Sequence, residues 1–114
     1  MKAVIYARYS SDNQREESIE GQLRECMAYC KKNDITVLRT YIDRAMSAKT
    51  DHRPDFQRMM ANMEDGKIGI IITKDLSRLG RNQLHTGLYI EERFPQFGVR
   101  YIAIMDNIDT AKGI

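Results

Sequence analysis

The sequence predicts a three-layer α/β domain with a mainly parallel central sheet. Three observations predict it. Four short apolar runs alternate with three helical patterns, and such alternation calls for parallel strands with helices on both faces. The run Ile68-Gly69-Ile70-Ile71-Ile72 is nearly continuous rather than alternating, which is how a strand covered on both sides reads. The chain has 114 residues, a length that fits one domain around one core.

Each element follows from local pattern. Residues 2–6 give the first strand, ending an apolar run at Tyr6. Residues 18–32 give a helix, because Ile19, Leu23, Cys26, Met27 and Cys30 recur at three- and four-residue spacing and Ser18 supplies an N-cap. Residues 36–42 form the second strand. Phe56, Met59, Met60 and Met63 make the second helical stripe, with Pro54 in its first turn and Gly66 at its end. Residues 68–73 are the third strand. Residues 84–94 are the third helix, closed by Pro95 and Gly98, and 99–105 the fourth strand. The methionine-rich stripe is core packing.

Composition narrows the function without naming it. Hydrophobic residues make up 42% and charged residues 30%, the profile of an ordinary globular protein. No apolar run approaches membrane-spanning length, and no secretory signal opens the chain. The net charge of +2 is too mild to imply nucleic acid by itself, so any such claim depends on where the arginines sit. Cys26 and Cys30, four residues apart, share a helical face and read as reduced core thiols. His52 and His85 stand alone, so no metal is expected.

In open parallel sheets functional groups collect at the carboxyl ends of the strands. After the first strand come Arg8, Ser10 and Ser11. After the second come Asp43, Arg44 and, at the far end of the loop, Arg53. After the third come Lys74, Asp75, Ser77, Arg78 and Arg81. A parallel sheet puts these sets on one edge, a serine hydroxyl amid guanidiniums. The phosphate loops GxxxxGK[ST] and GxGxxG and the GxSxG elbow are absent from the sequence. A serine with arginines and no histidine partner suits phosphorus better than an acyl carbon. Phosphoryl transfer gathers charge on nonbridging oxygens, and the planar guanidinium matches them. Extended backbone through Ser10 would turn Arg8 and Ser10 to one side and Ser11 to the other, leaving Ser11 as a turn residue.

These residues, in order, carry a resemblance. Tyr6-x-Arg8-x-Ser10, Ser18-x-x-x-Gln22, Asp43, Arg53-Pro54 and Asp75-Leu76-Ser77-Arg78-Leu79-Gly80-Arg81 resemble the catalytic domain of the serine site-specific recombinases, from residue 2 to about residue 110. These are the resolvases, invertases, and large integrases and transposases of mobile elements. Small resolvases tend to have aspartate where Ser77 stands, and the serine variant resembles the large serine recombinases.

The resemblance implies a resolvase-like fold of flavodoxin-like winding and an activity in DNA strand exchange. Ser10 would be the nucleophile, forming a 5′-phosphoserine link and freeing a 3′-hydroxyl. Arg8, Arg78 and Arg81 would clamp the phosphate, and Arg53 would contact it too. Gln22 and Asp43 would orient side chains. Neither metal nor nucleotide cofactor is implied. The partners implied are double-stranded DNA at recombination sites and further copies of the protein, as dimers and a synaptic tetramer in which half the complex rotates before religation. No membrane partner is implied. The setting is the cytoplasm of a bacterium, with a bacterial or phage gene. On this reading residues 1–114 are an N-terminal catalytic domain, with the dimerisation helix and DNA-binding domains outside this chain. The alternatives are a non-enzymatic phosphate-binding regulatory domain on a similar scaffold and a phosphatase acting on small molecules.

Overall fold

The computed structural model describes residues 1–10, 18–45, 53–80 and 83–112, and for residues 10, 45 and 83 the backbone alone. Among the described residues five strands form one sheet in the order β2-β1-β3-β4-β5. The strands are β1 (Lys2–Ser10), β2 (Thr36–Ala45), β3 (Ile70–Thr73), β4 (Arg100–Ala103) and β5 (Ile108–Asp109). The first four are mutually parallel, and β5 alone runs antiparallel, against β4. The mixed α/β class and mainly parallel sheet are as the sequence predicts.

Helix α1 (Ile19–Lys32) covers one face of the sheet. Helix α2 (Pro54–Glu64) and the helical segment of residues 83–96 cover the other. Strand alternation divides the core accordingly. Ala3 and Ile5 pack with Cys26 and Cys30 of α1, while Val4 and Tyr6 pack with Phe56 and Met59 of α2. Both cysteines are buried, and burial pushes the Cys30 thiol up. Strand β3 is buried at all four positions, which explains its unbroken apolar run.

Ser18 caps α1 through its Oγ, which accepts the Gly21 N–H at 3.2 Å. Three helices then close with the same six-to-one bond: Ile35 N–H to Cys30 O, Lys67 N–H to Asn62 O, and Val99 N–H to Phe94 O. Gly66 (φ 77°) and Gly98 (φ 68°) supply the left-handed residue at two of them, and Asp34 (φ 57°) at the third.

Several boundaries differ from the sequence reading. Strands β1 and β2 run on to Ser10 and Ala45, through polar residues, because the two pair along their whole length. The third strand begins at Ile70, after an exposed Gly69. The third helix does not stop before Pro95. It runs as α3 (Gln83–Leu88), a π-helical turn (Tyr89–Arg93) and α4 (Phe94–Gln96). Phe94 N–H reaches back five residues to Tyr89 O. A wider turn there accommodates Pro95, which has no N–H to give and would crowd a carbonyl in a regular helix. The fourth strand ends at Ala103, where a turn through Asn107 (φ 55°) leads into β5, a two-residue strand too short to leave a periodic signal.

Candidate active site

The strand order reverses at β1, between β2 and β3, and the β1–β3 ladder ends at Ile5↔Ile72. Beyond that point the β1 backbone is held by a side chain. Gln22 of α1, fully buried, accepts the Arg8 N–H at 3.1 Å and donates to the Arg8 carbonyl at 2.9 Å. Its carboxamide stands where a neighbouring strand would be. Ser10 is the last residue of β1, two beyond Arg8 and opposite Ala45.

Asp43 lies opposite Arg8 in the β1–β2 register and is 3% exposed. Helix α2 begins with Arg53 at its cap position and has no side-chain cap of its own. Asp43 supplies one from the adjacent strand. Its Oδ1 accepts Asp55 N–H at 3.0 Å, and its Oδ2 accepts Phe56 N–H at 2.9 Å and the Tyr6 hydroxyl at 2.8 Å. The negative carboxylate also suits the positive end of the helix. Asp55 returns the tie, accepting Ile42 N–H at 2.9 Å. Burial first, and the Asp43 carboxylate next, push the Tyr6 phenol far up, so it stays a neutral donor.

Three arginines converge here, all nearly buried: Arg8, Arg53 and Arg78. Each is fixed by the backbone of a segment that carries another. Arg78 Nη1 donates to the Arg8 carbonyl at 2.8 Å, and Arg8 Nη2 to the Ser77 carbonyl at 3.4 Å. Arg53 Nη1 donates to the carbonyls of Arg78 (3.3 Å) and Leu79 (2.7 Å). The loop after β3 is tightened by a 3₁₀ turn (Leu76–Arg78). Asp75 accepts Ser77 N–H there and pairs with Arg78 Nη2 at 3.3 Å, while Asp106 accepts Leu76 N–H at 2.6 Å.

Of the residues singled out from sequence, Arg8, Gln22, Asp43, Arg53 and Arg78 come together. The side chain of Ser10, together with Ser11, Arg81 and His52, lies outside the described residues. Arg44 stays at the surface against Glu20, 3.7 Å away. Asp55 and Asp106 escape sequence reasoning, which reads Tyr6 only as a member of the motif and Phe56 only as a core residue, neither with a role at the site. Period-two alternation from Arg8 points back to Tyr6, and an acid right after Pro54 marks Asp55. Phe56 and Asp106 act through tertiary contacts and carry no local signal.

The fold and the site define an open, doubly wound α/β domain with buried guanidiniums at the switch point of its sheet. Residues 3–114 match the model of the family described as Resolvase, N terminal domain, and the chain belongs to that family. The N-terminal catalytic domain of TP901-1 integrase superposes with a TM-score of 0.87 at 26% identity, over 99% of this chain and 84% of that one. A resolvase family site-specific recombinase from Streptococcus pneumoniae gives 0.85 at 29%, over 98% and 77%. The C-terminal catalytic domain of ISC1926 TnpA, an IS607-like serine recombinase, gives 0.75 at 28%, over 91% and 67%. By sequence, the chain is 38% identical over 64 residues to immunity region protein 3 of Bacillus phage phi105, covering 54% of this chain and 78% of that protein. Membership implies a recombinase, with the DNA binding and self-association of that family. Among the described residues no helix is long and apolar enough to cross a membrane.

Proposed function

We propose that this domain cuts and rejoins DNA through Ser10. The Ser10 oxygen forms a bond to a backbone phosphorus as the bond from phosphorus to the 3′-oxygen breaks. The serine proton is given up and the leaving oxygen takes one, so the products are a 5′-phosphoserine and a free 3′-hydroxyl. Religation reverses the step after half of a synaptic tetramer rotates. Arg8, Arg53, Arg78 and Arg81 bind the nonbridging oxygens and offset the charge that grows there. Their role is electrostatic, because a guanidinium keeps its protons. Gln22 holds the end of β1, and Asp43 holds the start of α2. Residues 1–114 act as the catalytic domain, and sequence choice rests with other domains, since phosphate contacts position while base contacts specify.

One observation carries this reading. Three nearly buried arginines are locked at the edge where β1 delivers Ser10. Guanidiniums oriented before the reaction need no reorganisation when charge develops. The test is capture of covalent complexes. The protein is incubated with DNA of the organism that encodes it and quenched in denaturant, and protein-linked fragments are recovered. Linked ends should resist a 5′-exonuclease and yield to a 3′-exonuclease, and Ser10→Ala should abolish them. Adducts formed by Ser10→Ala, or linked through the 3′ end, would refute the assignment.

A further inference from the structure

Arg53 occupies an unfavourable place. It is a cation at the cap position of α2, where the helix end is itself positive and an uncharged or acidic capping side chain is preferred. It is also 7% exposed. Something must hold its guanidinium there. Two carbonyls accept from it, those of Arg78 and Leu79, and the Tyr6 phenol also lies against it. The guanidinium carbon lies 4.0 Å from the centroid of the Phe56 ring. At that distance the electron-rich face attracts the cation directly.

The ring is itself immobilised. Tyr6 meets it edge-on at 5.2 Å and Tyr89 at 5.3 Å, and the Phe56 N–H is bonded to Asp43. Beside this stack runs a groove of about 480 Å³ lined by both Arg53 and Phe56, together with Met60 and Tyr89.

We infer that Phe56 is a positioning residue that fixes Arg53 through a cation–π contact. The inference deepens the reading given above and rests on it where Arg53 meets the scissile phosphate. An aliphatic residue of similar bulk would fill the core and lose the attraction. A small misplacement of a charge clamp is costly in rate.

Two experiments test it. In the first, position 56 carries phenylalanine with one, two or three ring fluorines, which drain the ring face while barely changing its shape. The rate of Ser10-dependent adduct formation should fall stepwise with each fluorine, by about tenfold or more across the series. In the second, Arg53 guanidinium resonances are recorded by NMR. The ring face should shield them upfield, and Phe56→Leu should abolish that shift while Phe56→Tyr keeps it. A flat fluorine series in a protein that forms adducts, or resonances unmoved by Phe56→Leu, would overturn the inference. Absence of adducts from the unfluorinated protein would instead refute the recombination reading, and the resonance shift would then decide the contact by itself.

Discussion

Asp43→Asn is the substitution that separates a cap from a bystander. The carboxylate is 3% exposed and accepts three hydrogen bonds, two of them from the first turn of α2. Asparagine has one acceptor oxygen and one NH₂. With the oxygen placed for Phe56 N–H and the Tyr6 hydroxyl, the NH₂ confronts Asp55 N–H. Flipped, it confronts Phe56 N–H. Either way a helix-end donor loses its acceptor, at about 1 kcal/mol. Loss of charge at the helix terminus adds about 0.3–1 kcal/mol, and the surviving bonds become neutral ones of about half the strength. The sum is about 2–4 kcal/mol, a large share of the roughly 5–15 kcal/mol that holds a domain together. The chain has no tryptophan, so urea unfolding is followed by far-UV circular dichroism. The midpoint should fall by about 1–2 M. In a Tyr6→Phe background the same change should cost less, because one of the three bonds is already gone. A midpoint unchanged to within about 0.2 M would refute the capping role.

Other expectations follow from the same contacts. Gln22→Leu removes the acceptor of Arg8 N–H while Arg78 still holds the Arg8 carbonyl. It should cost about 1–3 kcal/mol in urea unfolding and slow adduct formation. Burial raises the Tyr6 and Tyr101 phenols above the ordinary 10.0. A raised folded pKa means stability is full below that value and lost as pH rises beyond it. Thermal midpoints should drop above pH 10, and Tyr6→Phe or Tyr101→Phe should flatten that limb. Asp109 behaves oppositely: hydrogen bonds from the Arg100 guanidinium hold its carboxyl below the ordinary 3.8. The pair's contribution, about 1–2 kcal/mol, is present above that value and lost as pH falls through it, so Asp109→Asn should flatten the acid limb.

Much of the fold was legible because its signals are local. Strand-helix alternation, the Ser18 cap, Gly66 and Gly98 all express preferences of a few neighbouring residues. The misplaced boundaries are those where pairing or packing overrides local preference. Arg8 and Ser10 are polar, yet they remain in a strand because β2 pairs with them. The site was legible as a set of residue types on one sheet edge, and the motif order made that set specific. Its internal wiring was not. That Asp43 caps a helix eleven residues downstream, or that Phe56 backs Arg53, depends on which face each side chain takes and on what lies across it.

That wiring changes how arginine substitutions are to be read. Arg78 holds the backbone of Arg8, Arg8 holds the backbone before Arg78, and Arg53 holds the backbone of Arg78 and Leu79. On the proposed reading, removing one guanidinium would delete a phosphate contact and also loosen the segment that carries another arginine. Residues acting as one unit give strongly non-additive losses. Double replacement among Arg8, Arg53 and Arg78 should slow adduct formation far less than the product of the single effects. If the arginines were independent contacts on a rigid frame, the effects would multiply. The site thus behaves as a reciprocal tie between β1 and the loop after β3, braced from the start of α2 by Arg53, so the three guanidiniums are oriented by the fold itself.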